Sequence, residues 1–175
     1  MRLSGQAYRL TMKDLIIIRH AKSSWDVPGV GDRERPLNKR GLKDAPKMGA
    51  ALRERGVKPD VMIASLAVRA WATAELIADE LSYPREELVQ ESAIYAAGLN
   101  ALMQVVQNID EEVETACLVG HNPGFEDLAN TLVPGMVVSH LPTCGVVRIR
   151  IKSETWGAVG VGDGELVEFL EPKKL

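Results

Sequence analysis

Three short apolar runs, each ending in polar residues and followed by a helical pattern, constrain this 175-residue chain more than any other feature. They are residues 14–18, 60–65 and 115–119. The first holds Leu15, Ile16, Ile17 and Ile18 and stops at Arg19 and His20. Runs of this length, rich in aliphatic and β-branched side chains, read as strands buried on both faces. Such strands require helices on both sides of a sheet, and strands alternating with helices predict mostly parallel pairing through right-handed crossovers.

The intervening segments fit that plan. Residues 22–36 form a long polar loop with Pro28, Gly29, Gly31 and Pro36, and loops of that length in compact domains tend to carry function. Asn38 is a suitable N-cap for a helix whose apolar stripe is Ala45, Met48, Ala51 and Leu52, with Gly56 just past its end. Further helices are predicted over 66–81, 100–109 and 124–132, and a short strand over 89–91. Residues 146–151 and 165–170 partly alternate and are separated by glycines, which predicts an antiparallel hairpin closing one sheet edge. No repeat, low-complexity tract or linker divides the chain, so residues 13–175 are expected to form one domain behind a loose extension, 1–12, in which Met12 is an alternative start.

Composition excludes several classes of function. Apolar residues make up 46% and charged residues 26%, which are ordinary globular proportions. A net charge of -3 offers no global attraction to nucleic acid or to an anionic membrane, so any basic character must be local. No stretch approaches the ~18 apolar residues of a membrane span. The first residues lack the apolar core of a signal peptide, and a cytoplasmic location is expected. Cys117 and Cys144 lack metal-ligand or Cys-x-x-Cys spacing and are expected to be buried free thiols.

Chemistry-bearing residues sit where the strands end. Arg19 and His20 follow the first run, Arg69 lies just inside the helix after the second, and His121 follows the third. Singly, each has a structural explanation: a solvated Arg, an exposed helix residue, a His satisfied by a backbone carbonyl. In a parallel sheet, however, all three carboxyl ends open into the crevice where such sheets bind ligands, so two His and two Arg converge. That combination suits phosphate chemistry, with guanidinium forks for oxygens and a neutral imidazole as nucleophile. A metal site is disfavoured by the neighbouring Arg and Lys charges, and no metal or other cofactor is expected. His140, in a loop, receives no role.

These residues occur in segments that resemble the histidine phosphatase superfamily, with its phosphoglycerate-mutase-like fold, and most closely the small phosphohistidine phosphatases of the SixA type. The family's Arg-His-Gly signature corresponds to Arg19-His20-Ala21. Its Arg-Pro-Leu-Thr-x-x-Gly segment corresponds to Arg35-Pro36-Leu37-Asn38-Lys39-Arg40-Gly41. The Ser-Pro-x-x-Arg-Ala-x-x-Thr-Ala-Glu segment corresponds to Ser65-Leu66-Ala67-Val68-Arg69-Ala70-Trp71-Ala72-Thr73-Ala74-Glu75, and the second-histidine segment to Val119-Gly120-His121-Asn122-Pro123. The resemblance implies a three-layer α/β/α sandwich with a mostly parallel central sheet and an antiparallel C-terminal edge.

It also implies roles. His20 is the expected nucleophile and passes through a phosphohistidine intermediate. Arg19, Arg69 and an imidazolium at His121 are expected to hold the phosphoryl oxygens. Ser23 and Arg35, on the rim loop, are further substrate-binding candidates. Two departures stand out. Ala21 replaces the glycine, and the stretch Ala93-Ile94-Tyr95-Ala96-Ala97-Gly98 lacks the carboxylate that larger members use as proton donor. Asp26, Glu75 and Glu91 are the substitutes to consider. The capping insertion of mutases is also absent, which implies an open site. An imidazole leaving group can arrive protonated, so the missing acid fits a phosphohistidine protein, such as a histidine-containing phosphotransfer domain. The alternatives are a phosphomonoesterase for small metabolites or phosphoserine, and a phosphate-binding module without turnover.

Overall fold

The computed structural model describes residues 12–135 and 138–175. The extension expected at the N-terminus lies, but for Met12, outside the described residues. The remainder forms a six-stranded sheet in the order β3-β2-β4-β1-β5-β6. The strands are β1 (Lys13–Arg19), β2 (Val61–Ala64), β3 (Val89–Gln90), β4 (Thr115–Gly120), β5 (Val146–Ile151) and β6 (Gly164–Leu170). The helices are α1 (Lys39–Glu54), α2 (Val68–Leu81), α3 (Leu99–Gln107) and α4 (Gly124–Leu132). Pairing is parallel from β3 through β2 and β4 to β1. It turns antiparallel at β5 and β6.

Alternation along β1 decides the layers. Leu15 and Ile17 pack with Leu102 and Val105 of α3 and with Phe125 and Leu128 of α4. Ile16 and Ile18 point the other way, against Met48 and Leu52 of α1 and Ala74 and Ile77 of α2. All four β1 side chains have no exposed surface. Burying each is worth about 1.5–3 kcal/mol, so a one-residue slip of this strand exchanges the two cores and is strongly resisted.

The antiparallel hairpin expected at the edge is there: β5 pairs with β1 on one side and with β6 on the other, and β6 is the outer strand. The arginines that made β5 look half exposed, Arg148 and Arg150, ion-pair with buried Asp14 at the start of β1. The second helix begins two residues later than expected, at Val68. Cys117 and Cys144 are buried and free, and burial pushes both thiols up to about 12. No helix among the described residues is long and apolar enough to cross a membrane.

Register positions the site. Arg19 lies opposite Gly120, and Ala64 opposite Val119, so β1, β2 and β4 stop nearly level. The residues that follow, His20, Ser65 and His121, therefore emerge at one end of the sheet. Two glycines permit the close packing this needs. A Cβ on Gly120 meets Phe125 at 2.5 Å, and one on Gly41 meets the Lys22 carbonyl oxygen at 2.2 Å. The second contact seats the backbone after His20 on the first turn of α1, where the Asn38 amide donates to the same Lys22 carbonyl.

Candidate active site

His20 is clamped before its side chain does anything. Its amide donates to the Gly120 carbonyl at 2.9 Å, and its own carbonyl accepts from the Cys144 amide at 3.1 Å. Its Nδ1 lies 2.7 Å from the Ala21 carbonyl oxygen, which can only accept, so Nδ1 carries the proton and Nε2 the lone pair. Arg69 Nε donates to that Nε2 at 3.3 Å. Burial lowers the ring's pKa to about 3; the Ala21 carbonyl opposes this, while His121, Arg69 and Arg19 reinforce it. The ring is neutral at physiological pH.

Arg69 is placed by Thr73, one helical turn further along α2. The Thr73 hydroxyl donates to the Arg69 carbonyl at 2.7 Å and accepts from the Ala21 amide at 2.9 Å, tying the helix to the residue after His20. His121 faces His20 with ring centroids 5.2 Å apart, and its Nε2 is 2.8 Å from Ser65 Oγ. Burial lowers His121 to about 4; Arg69 reinforces this and Asp32 opposes it. Burial thus favours the neutral ring in the free site, and the imidazolium is expected only once a phosphoryl charge arrives to raise the ring's proton affinity.

Arg19 Nη1 donates to the Leu141 carbonyl at 2.8 Å. That loop is held by α4, where Glu126 accepts from the Leu141 amide at 2.8 Å and from the Asn122 side chain. Burial lowers the Arg19 pKa, against the attraction of Glu126. Four of the expected residues, Arg19, His20, Arg69 and His121, are therefore brought together at the sheet's carboxyl end.

The remaining candidates divide. Arg35 and Ser23 lie beside the cluster, Arg35 Nη1 donating to Ser23 Oγ at 2.6 Å while its guanidinium stacks 3.5 Å over the Trp25 ring. The three carboxylates considered as proton donors have no hydrogen bond or ion pair to either His or to Arg19 or Arg69 among the described residues. Asp26 is exposed on the loop. Glu75 pairs with Arg85 at 3.5 Å, beyond the far end of α2. Glu91 caps the Ala93 amide.

The carboxylate that does enter the cluster is Asp32, in a short 3₁₀ turn of the 22–36 loop. Arg69 donates Nη1 to its carbonyl at 2.6 Å and Nη2 to its Oδ2 at 3.1 Å. The Tyr95 hydroxyl donates to the same Oδ2 at 2.9 Å, and Arg35 Nε to Oδ1 at 3.0 Å. Partial burial pushes the carboxyl up, but the Tyr95 hydrogen bond and the Arg69 charge outweigh it and hold Asp32 below its ordinary value. Neither Asp32 nor Tyr95 was visible from periodicity or from strand ends. The one available signal was the density of charge in a loop that long.

Among the described residues no group of three or more His, Cys, Asp or Glu side chains is disposed to hold a metal ion. The cluster offers instead a neutral imidazole with a directed lone pair between two guanidinium groups. This suits in-line attack on phosphorus, with fixed cations facing the developing charge.

Comparison with known proteins agrees with this geometry. Residues 15–94 match the model of the histidine phosphatase superfamily, branch 1. A solved structure of the protein histidine phosphatase SixA complexed with tungstate superposes with a TM-score of 0.78 at 21% identity, covering 92% of this chain and 98% of that one. A Mycobacterium tuberculosis protein is 28% identical over 165 residues, covering 89% of this chain and 100% of its own. A 2,3-bisphosphoglycerate-dependent phosphoglycerate mutase of Rhizobium etli is 34% identical over 82 residues, 46% of this chain but only 39% of the mutase. Arg19, His20 and Arg69 lie inside the segment that matches the histidine phosphatase superfamily model, and the fold is shared with the SixA structure over nine-tenths of the chain.

Proposed function

We propose that the protein removes the phosphoryl group from phosphohistidine on another protein, through a covalent intermediate on His20 and without a metal. Nε2 of His20 attacks phosphorus, the phosphorus–nitrogen bond of the substrate breaks, and the substrate imidazole leaves with its proton. Water then attacks the phosphorus on His20, orthophosphate departs, and the ring returns to its neutral tautomer. Arg19 and Arg69 bind the phosphoryl oxygens, and His121 joins them as it gains a proton from the anion's arrival.

The observation that carries this reading is the fixed tautomer of a ring lowered to about 3, which leaves a nucleophilic Nε2 at any physiological pH. The choice of substrate is supported by Asp32. Its partners keep it ionised, and an ionised carboxylate cannot protonate an alkoxide leaving group, which a phosphate ester requires and a phosphohistidine does not. The likeness to a SixA structure agrees with it.

A second reading, a phosphomonoesterase for small metabolites, is favoured by the likeness to the mutase. The two separate in timed incubations with a phosphohistidine peptide and with a sugar phosphate, whose alkoxide leaving group needs a proton, in EDTA, wild type beside His20→Ala. Rapid release from the peptide and slow release from the ester, both absent in the variant, supports the first reading. Faster turnover of the ester supports the second. Activity that disappears in EDTA overturns the metal-free mechanism.

A further inference from the structure

Next to the cluster, and unused by the chemistry above, a cavity of about 520 Å³ opens between the segment after β1, the first turn of α1 and the C-terminal residues. Arg19 forms the wall it shares with the phosphoryl site, and Lys22, Arg40, Lys173 and His140 are among the residues that line the rest. The one carboxylate in the lining, Glu171, already accepts from Lys174 Nζ at 2.9 Å. A chain with a net charge of -3 thus gathers four permanent cations around one concavity, from three separate segments.

The placement of Arg40 is a separate observation. The first turn of α1 contains Lys39 and Arg40 and no acidic residue. The helix dipole favours carboxylates at that end and disfavours cations, so local stability does not explain the choice. Arg40 finds only a partial remedy in Asp44, 3.2 Å away one turn on. Cations held at an unfavourable helix end, around an open cavity, point to an anion that the protein binds.

The dimensions indicate its form. A single orthophosphate is too small to meet cations distributed around 520 Å³, whereas carboxylates spaced along a peptide can reach several at once. Lys22, Arg40 and Lys173 are exposed, which suits recognition and steering of a partner's charge rather than the buried grip a transferred phosphoryl group needs. Arg19 makes the cavity continuous with the phosphoryl site, so one bound chain can occupy both.

We propose that this cavity is a second anion subsite, which takes glutamate or aspartate side chains flanking the phosphohistidine of a protein substrate. The proposal rests on the phosphohistidine reading above and adds a sequence preference to it.

The test uses two phosphohistidine peptides that differ only in flanking glutamates or glutamines, with p-nitrophenyl phosphate as the small ester. The enzymes are wild type and the double variant Arg40→Gln, Lys173→Gln. Wild type is expected to favour the glutamate peptide, and the variant to lower kcat/KM for that peptide about five-fold, mainly through KM. The glutamine peptide and p-nitrophenyl phosphate are expected to turn over equally with both enzymes. Absence of a glutamate preference in wild type, or its persistence in the variant, overturns the subsite.

If neither peptide is cleaved, the phosphohistidine reading fails on its own, and the subsite is still decided by binding. Fluorescence anisotropy of the labelled, unphosphorylated glutamate peptide then supports it if affinity falls about five-fold in the variant, and overturns it if affinity is unchanged.

Discussion

Arg69 donates Nε to His20 Nε2 at 3.3 Å while both of its terminal nitrogens are bound to Asp32. In the free site, then, the lone pair of His20 Nε2 and the Arg69 guanidinium occupy each other. On the mechanism proposed above, an arriving phosphoryl group would offer oxygens that replace Asp32 at Nη1 and Nη2 and draw Nε away from the imidazole, so that binding and unmasking of the nucleophile would be the same event. Replacing Arg69 by Lys keeps the charge and loses the fork, so kcat/KM is expected to fall on the order of 100-fold with the fold intact. Steady-state kinetics beside a thermal melt checks this.

On the proposed mechanism, Asp32 competes with phosphate for Arg69. Asp32→Asn preserves the shape and removes the charge, and the inhibition constant for orthophosphate is expected to fall on the order of five-fold. Product-inhibition kinetics measures it; weaker inhibition instead makes Asp32 a positioning residue for Arg69.

Thr73 is the least conspicuous residue on which the site depends. Thr73→Val leaves the buried Ala21 amide without its acceptor, which costs about 1–3 kcal/mol and lowers Tm by about 2–10 °C. Turnover is expected to fall as well, because the same hydroxyl holds Arg69 to the residue after His20. Thr73→Ser keeps the hydroxyl and is expected to recover most of both.

Acid should affect the protein in a characteristic window. Burial first, then neighbouring cations, places His20 at about 3 and His121 at about 4, below the ordinary 6.5. Stability from keeping these rings neutral is complete above the ordinary value and is lost as pH falls through the folded values. Tm is expected to drop between pH 6.5 and 4, less steeply in His121→Asn. The acid limb of kcat/KM is expected well below the 6.5 of an ordinary imidazole. A limb at 6.5 contradicts the buried, neutral nucleophile.

The parts of this protein that were legible in advance are those determined locally. Runs such as Leu15 to Ile18 declare a doubly buried strand, and a parallel sheet brings the strand ends together, so Arg19, His20, Arg69 and His121 could be named from topology. Asn38 and Gly56 mark the ends of α1 for equally local reasons. What depends on long-range pairing was not legible. The β5 arginines look solvated in the sequence, and only the fold reveals that Arg148 and Arg150 both ion-pair with Asp14. Asp32 meets Tyr95 across 63 residues of sequence, a contact that no periodicity encodes. Carboxylates chosen by their nearness to motifs, such as Glu75, point along helix faces to other partners.

The most direct test of the account is to mix the protein with a ³²P-phosphohistidine peptide, quench within milliseconds in alkali, and map the label. An alkali-stable, acid-labile phosphoenzyme is expected to form at the substrate's decay rate, to carry its label on His20, and to be absent in His20→Ala. Phosphate release without any labelled protein, or label that persists in the variant, contradicts it.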